Sequence, residues 1–191
     1  MLFRSRLLEH AVRTLSEDGL EGLRLRKLAA DVGTSTTAVY SLFGGKPALL
    51  AALFDEAFAR FGRRLAEVET TGDPRTDLLA LGMAYRASAL AEPHFYQVMF
   101  GSVGGAVEPS PESVERAEAT FRPLVDAVRR AMDAGQLGKA DPTMVATSLW
   151  ATVHGLVSLE LRSLLPPEAG DPAEVYRKAL RAMGAGWAAP L

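Results

Sequence analysis

The chain contains no cysteine among its 191 residues. Disulfide bonds, zinc–thiolate sites and a thiol nucleophile are therefore excluded. A cysteine-free chain also fits the reducing environment of the cytoplasm, where we expect this protein to act. The opening residues, MLFRSRLLEHAVRTL, are interrupted by charges and do not form a secretory signal. No apolar run approaches the ~18 residues that a membrane span needs, so we expect no membrane partner.

Charge is nearly balanced overall but is unevenly distributed along the chain. The formal net charge is −2, and residues 1–47 carry seven Lys/Arg against five Asp/Glu. Residues 48–191 carry fourteen Lys/Arg against eighteen Asp/Glu. A slightly basic head on an acidic body indicates a polyanionic partner for the head.

Signals for β-strands are nearly absent, and apolar residues recur at the three- and four-residue spacing of helices. The sequence therefore predicts an all-α fold of roughly nine helices, with a three-helix head on a larger helical body. Glycine and proline mark the predicted helix ends. The predicted helices are 3–17, two short helices within 25–46, then 47–68, 74–91, 93–100, 112–134, 142–164 and 173–187. The stretch GSVGGAVEPSP, residues 101–111, is predicted to be a flexible loop.

The stretch LRKLAADVGTSTTAVYSLFGGK, residues 25–46, predicts a helix-turn-helix. Gly33 permits the positive φ that a sharp turn between two helices requires. Thr34 or Ser35 is placed to cap the second helix by accepting hydrogen bonds from its first N–H groups. Val39 is expected to face inward and to fix the second helix on the first.

The outer face of that second helix carries short, uncharged side chains, which suit a close approach to phosphates and base edges. Basic residues before and after it would bind the DNA backbone. We expect Thr36 and Thr37 to read bases, and Tyr40 and Lys46 to contact phosphates. The full set of predicted DNA contacts is Arg24, Arg26, Lys27, Ser35, Thr36, Thr37, Ala38, Tyr40, Ser41 and Lys46. An ordinary helical corner with surface hydroxyl groups is the alternative, which the flanking cations disfavour.

Residues 4–50 resemble the DNA-binding head of the tetracycline-repressor (TetR) family of bacterial regulators. The family's pattern appears in LRKLAADVGTSTTAVYSLFGGKPALL as Leu28-Ala29, Gly33, Ser35, Tyr40, Phe43, Lys46 and Leu49. RSRLLEHAVRTLSEDGLEGL resembles the family's first helix and the turn that ends it. Three positions depart from the pattern: Arg24 replaces a common Thr, Thr36 a common basic residue, and Leu42 a usual His. These departures affect the expected operator sequence and phosphate contacts, whereas the expected fold is unchanged.

The resemblance implies a division into a DNA-binding domain, residues 1–47, and a ligand-binding and dimerisation domain, residues 48–191. Within the second, LWATVHGLVSLEL resembles a branch of the family marked by a Trp, a His four residues later and a Gly. These residues are Trp150, His154 and Gly155 in this sequence.

The predicted helix 142–164 is apolar nearly all round, so it must be covered on two faces. Small residues in the last helix permit close helix packing. We therefore expect a two-fold, four-helix dimer interface from these two helices. Its predicted contacts are Val145, Leu149, Leu156, Ala179, Ala182 and Gly186. A central helix within a monomer is the alternative.

Aromatic side chains with polar tips suggest a mostly apolar pocket for a small apolar or aromatic effector. The candidate pocket residues are Tyr85, Phe95, Tyr96, Met99, Phe100, Phe121, Trp150 and His154. Each of them alone is as easily explained by core packing, and His154 as a hydrogen-bonded core histidine.

Together these features predict a ligand-responsive, dimeric DNA-binding transcriptional regulator, a repressor released from a palindromic operator by a small molecule. An enzyme is disfavoured, because the three histidines, His10, His94 and His154, share no metal-ligand spacing and no nucleophile elbow is present. We expect no metal and no cofactor. A helical interaction module that has lost specific DNA binding is the alternative, which the departures at Arg24, Thr36 and Leu42 would support.

Overall fold

The computed structural model describes residues 2–101 and 109–188. These residues form ten α-helices, numbered here in chain order, and a short 3-10 helix at Pro167–Ala169. The α-helices are α1 Leu2–Gly22, α2 Leu25–Val32, α3 Thr36–Phe43, α4 Lys46–Ala66, α5 Pro74–Ala91, α6 Pro93–Phe100, α7 Pro111–Ala119, α8 Arg122–Asp133, α9 Pro142–Leu161 and α10 Pro172–Gly186. Within the described ranges no β-strand forms, and an isolated antiparallel β-bridge joins Leu137 to Ala188. The all-α prediction is confirmed.

Most predicted helix bounds differ from the structure by a few residues, and one predicted helix is divided. The helix predicted over residues 112–134 is two helices, because Pro123 starts α8 after a break at residues 120–121. Within α1, Leu2–Gly22, the backbone leaves helical geometry at Gly19, with φ 68° and ψ −170°, so the helix breaks at the predicted stop and one further turn follows it. The predicted loop at 101–111 lies largely outside the described residues, since residues 102–108 are not among them.

The chain divides into two compact units, each built from two separate stretches of sequence. The first comprises residues 1–60 and 92–117, and the second comprises residues 61–91 and 118–191. In the sequence these units meet after residues 60, 91 and 117, and the predicted boundary between residues 47 and 48 coincides with none of these points. As a boundary between functional domains it stays a prediction.

The core of the first unit brings α6 together with the N-terminal helices. Phe95 and Val98 of α6 pack in one buried cluster with leucines of α1, including Leu7, Leu8 and Leu15. Val39 of α3 belongs to the same cluster. The helix-turn-helix is therefore held by α1, α4 and α6 through one hydrophobic core.

Arg60 of α4 ties the same helices together by charge. Its Nε donates to Glu56 Oε1 at 2.8 Å, its Nη1 to Glu92 Oε1 at 2.8 Å, and its Nη2 to Glu9 Oε1 at 3.2 Å. The Arg60 Cζ lies 4.5 Å from the centre of the Phe95 ring. Burial opposes the charge, but the three carboxylates outweigh it and raise the pKa of Arg60 above its ordinary value.

In the second unit α9 packs against α5, α8 and α10. Tyr176 of α10 donates a hydrogen bond to the Gly82 carbonyl of α5 at 2.7 Å. A Cβ at Gly82 would lie only 2.9 Å from Leu180 Cδ1, so a larger residue there would force the Leu180 side chain to move. Arg86 of α5 forms a bidentate ion pair with Glu160 of α9, at 2.8 and 2.5 Å.

One described helix, α9, is long and apolar enough to cross a membrane by length and composition alone. α3 and α4 meet that test only if they are joined across the 62° bend between them. α9 packs against three other helices and buries Val145, Ala146 and Leu149 against them, although only 28% of its apolar window is buried within the chain. The sequence-based expectation that no apolar stretch approaches membrane length is thus too strong for α9.

Candidate functional site

The turn between α2 and α3 is determined by Gly33 and Ser35. Gly33 has φ 75° and ψ 40°, a left-handed conformation that glycine adopts without steric cost. The Thr34 N–H donates to the Ala29 carbonyl at 2.8 Å and closes α2. Ser35 Oγ accepts a hydrogen bond from the Ala38 N–H at 3.1 Å and caps α3. The sequence-based predictions of the turn and the cap are confirmed.

One side of α3 anchors the helix and the other side faces outward. Val39 has no exposed surface, as predicted, and Phe43 is also buried. The exposed fraction is 52% for Tyr40 and 43% for Leu42. The side chains that α3 exposes are Thr37, Tyr40, Ser41 and Leu42, with Thr36 and Ala38 half-buried beside them. The outer surface of α3 is thus uncharged, hydroxylated at its centre and apolar at Leu42.

The three cations predicted near the start of α2, Arg24, Arg26 and Lys27, are all exposed. Lys27 Nζ lies 3.5 Å from Asp18 Oδ2 in an exposed ion pair, which contributes little stability. Lys46 Nζ donates a hydrogen bond to the Leu20 carbonyl, so this cation also holds the start of α4 to the end of α1. A phosphate would compete with these contacts at Lys27 and Lys46.

Arg4 is a further cation beside α3 that sequence reasoning did not select. Its Cζ lies 5.6 Å from the centre of the Phe43 ring, at the end of α3, and its side chain is exposed. The contact joins residues that are distant in the chain, so no local pattern signals it. Only the packing of α1 against α3 reveals it.

In the second unit, three further aromatic rings lie near the hydrogen-bonded pair of Tyr85 and His154. The Tyr85 hydroxyl oxygen and His154 Nδ1 are 2.9 Å apart. Trp150 lies one turn before His154 with ring centres 6.0 Å apart, and Phe121 packs against Trp150 at 5.7 Å. Phe61, which was not predicted, meets Tyr85 edge-on at 5.3 Å. The structure thus brings four of the eight candidate pocket residues together.

Burial lowers the pKa of His154 below its ordinary value. The imidazole is therefore neutral at pH 7, with one ring nitrogen a hydrogen-bond donor and the other an acceptor. A neutral histidine and a phenol offer hydrogen-bonding groups among aromatic rings, which is the composition of a site for an aromatic or apolar molecule with a polar end.

The other four candidates, Phe95, Tyr96, Met99 and Phe100, lie on α6 in the first unit. Phe95 is buried in the core shared with α1 and lies under Arg60, and Met99 packs against that core. Phe95 is therefore a core residue of the first unit, and its role in a pocket stays a prediction. Tyr96 and Phe100 have ring centres 5.2 Å apart, and Phe58 of α4 lies 5.9 Å from Phe100.

The predicted dimer contacts fall into two groups. Val145 and Leu149 lie in the core of the second unit, with exposed fractions of 0% and 9%. A side chain covered by its own chain has almost no surface for a second subunit, so these two assignments are corrected. The remaining candidates are Leu156 and Ala179, which are half-buried, and Ala182 and Gly186, which are exposed.

Within the described part of the chain, no three His, Asp or Glu side chains are grouped closely enough to hold a metal ion. The His10 ring nitrogen instead lies 3.1 Å from Asp31 Oδ2, joining α1 to α2. Neither residue belongs to the aromatic cluster around His154.

Comparison with known proteins gives matches to both parts of the chain. The family model for bacterial regulatory proteins of the tetR family matches residues 7–53, and the model for the tetracyclin repressor-like C-terminal domain matches residues 78–183. An HTH-type transcriptional regulator of Mycobacterium tuberculosis is 26% identical over 186 residues, covering 82% of this chain and 80% of that protein. Tetracycline repressor protein class C of Escherichia coli is 31% identical over 133 residues, covering 70% and 58%.

A solved structure also matches nearly the whole chain. The solved structure is that of a protein with unknown function from Rhodococcus sp. RHA1. It superposes on this chain with a TM-score of 0.84 at 32% sequence identity, covering 97% of this chain and 95% of the Rhodococcus chain. The similarity therefore extends over both compact units.

Proposed function

Because the chain belongs to the TetR family of bacterial transcriptional regulators, we propose that it binds a palindromic operator as a homodimer and releases it when a small molecule binds its body. The regulator would act in the cytoplasm, where bacterial DNA lies. Two α3 helices would enter successive major grooves, with half-sites about one DNA turn, ~34 Å, apart.

The observation that carries the DNA-binding proposal is the geometry of α3. Its inner face is fixed by the fully buried Val39, and its first turn is capped by Ser35. Its outer face presents Thr37, Tyr40 and Ser41 without any charge of its own. A rigid helix with short polar side chains approaches base edges closely, and hydroxyl groups donate to phosphates as well as to bases. We assign base reading to Thr36 and Thr37 and phosphate contacts to Tyr40 and Lys46.

The effector site is assigned to the aromatic cluster of the second unit. The residues that the resemblance marks, Trp150, His154 and Gly155, lie on α9, and His154 is hydrogen-bonded to Tyr85. An aromatic or apolar effector would pack on Trp150 and Phe121 and compete for the hydrogen bond between Tyr85 and His154. Its binding would displace α4, which carries Phe61, and so change the spacing of the two heads.

Coupling between effector and operator is reciprocal. A typical coupling free energy of about 1–3 kcal/mol would make operator binding ~5–150-fold weaker when the effector is bound, and would weaken effector binding by the same factor on DNA. The dimer that this requires is proposed to form through the outward sides of α9 and α10. Ala182 and Gly186 are exposed there without large side chains, which permits close helix packing.

Selection of bound duplexes from a random pool tests the proposal. We expect a near-palindrome to be enriched, because a two-fold dimer presents two identical helices. The Thr37→Glu variant places a carboxylate on the outer face of α3 and should abolish the enrichment by repelling phosphates. Thr70→Glu, at an exposed residue between α4 and α5, is the matched control and should select the same sequence as the wild type.

If the folded wild-type protein enriches no sequence, the regulator proposal is wrong, and a helical interaction module becomes the better explanation. Enrichment of a sequence without two-fold symmetry would instead contradict the proposed dimer on DNA.

A further inference from the structure

The start of α1 carries an exposed cation that is held against the end of the proposed DNA-reading helix. Arg4 Cζ lies 5.6 Å from the centre of the Phe43 ring, within the range of a cation–π contact. Phe43 is the last residue of α3 and is buried. The Phe43 ring is therefore held in the core, and the guanidinium carbon of Arg4 lies over it.

The charges around α3 make this cation important. α3 contains no charged residue, and two of the cations predicted to bind phosphate already have partners within the chain. Lys27 pairs with Asp18, and Lys46 donates to the Leu20 carbonyl. The carbonyl end of α3, where Arg4 lies, is also the end of a helix that favours a positive charge.

We propose that Arg4 is a phosphate-binding residue of the DNA interface, oriented by the Phe43 ring beside the carbonyl end of α3. This inference rests on the proposed function. The planar guanidinium presents its N–H groups in a fork that fits two phosphate oxygens, and stacking limits the rotamers that it must give up on binding. Arg4 would therefore add affinity for any DNA sequence, since a phosphate contact carries no sequence information.

A purely structural role makes a different prediction. If Arg4 only covers Phe43, an apolar side chain of similar length should replace it without any effect on DNA binding. Arg4→Met keeps an unbranched apolar stem over the ring and removes the charge. Arg4→Lys keeps the charge and removes the planar fork.

The experiment measures affinity as a function of salt for a labelled duplex selected by the wild-type protein and for an unrelated duplex of equal length. Each phosphate contact contributes about 0.9 to the slope of log affinity against log salt concentration. One contact therefore accounts for a loss of affinity of about 3.5-fold when the salt rises from about 50 to about 200 mM. We expect Arg4→Met to lower the slope by that amount and to weaken both duplexes by the same factor. Arg4→Lys should keep the wild-type slope.

Arg13→Met is the matched control, because it removes the same charge from an exposed position farther along α1. It should keep the wild-type slope, and thermal melting should show that every variant is folded. If Arg4→Met does not fold, the slope of Arg4→Gln replaces it in the comparison.

Three results would overturn the inference. An unchanged slope in folded Arg4→Met would show that Arg4 only covers Phe43. A loss confined to the selected duplex would make Arg4 a base reader instead of a phosphate contact. A wild-type protein that binds no duplex would reject the proposed function and this inference together, whereas the first two results leave the proposed function intact.

Discussion

Replacing Arg60 with Met should destabilise the chain strongly, because Arg60 connects three helices of the first unit. Only 18% of its side chain is exposed, and its three acceptors lie on α1, on α4 and at the residue before α6. Met keeps the apolar stem, but the contact of the guanidinium with the Phe95 ring is lost together with the charge. The change therefore removes the guanidinium alone and leaves three carboxylates near one another.

The magnitude follows from the exposure of each partner. Glu56 and Glu92 are 20% and 21% exposed, whereas Glu9 is 49% exposed. Removing one partner of a buried pair costs about 3–5 kcal/mol, and an exposed pair contributes only about 0–1 kcal/mol. Because all three carboxylates retain some contact with water, we expect a loss of about 3 kcal/mol. For a chain of this length that is roughly 6–12 °C in Tm.

Arg129→Met is the matched control for this prediction. Arg129 pairs with Asp126 at 3.1 Å on the surface of α8, and both side chains are 58% exposed. Its removal should cost less than about 0.5 kcal/mol. Urea unfolding followed by circular dichroism compares the two variants with the wild type, and the m-value shows whether the unfolded state has changed.

Equal shifts in the two variants would refute the reasoning, since the argument depends on the difference in burial between Arg60 and Arg129. A loss below about 0.5 kcal/mol for Arg60→Met would show that the network contributes no more than an ordinary surface pair.

Three further predictions concern the body and the reading helix. Burial lowers the pKa of His154, so as the pH falls its imidazole takes up a proton in the unfolded chain before it does so in the folded chain. Below about pH 6.5 the wild type should therefore lose more stability than His154→Gln. Melting temperatures of both proteins measured across pH check this, and identical pH profiles would contradict it. Ala182→Glu buries a carboxylate if α10 forms the dimer interface, so sedimentation should show monomers, whereas an intact dimer would place the interface elsewhere. Thr37→Ala should leave the melting temperature unchanged but alter the selected duplex, and an unaltered selection would remove Thr37 from base reading.

Features fixed by neighbouring residues were predictable from the sequence. The turn at Gly33 and the cap at Ser35 depend on contacts across a few residues, and both were found as expected. The bounds of α5 and α6 were also predicted, because Pro74 and Pro93 each stand at a helix start, where the missing N–H costs nothing.

Features that depend on distant parts of the chain were not predictable in this way. Phe95 carries no local signal that it packs with α1. α9 is apolar on every side, so its composition does not show which side its own chain covers. Val145 and Leu149 were therefore assigned to the wrong face. Arg4 and Phe61 were missed for the same reason, since their aromatic partners lie far away in sequence.

The packing of α6 in the core of the N-terminal helices limits how this protein can be divided or recombined. A fragment that ends after α4 would lack Phe95 and Val98, and leucines of α1 that those side chains cover would face water. Such a fragment should aggregate when expressed by itself. For the same reason, a chimera that transfers these N-terminal helices to another ligand-binding body would need to take α6 with them, although residues 67–92, which include α5, separate α6 from α4.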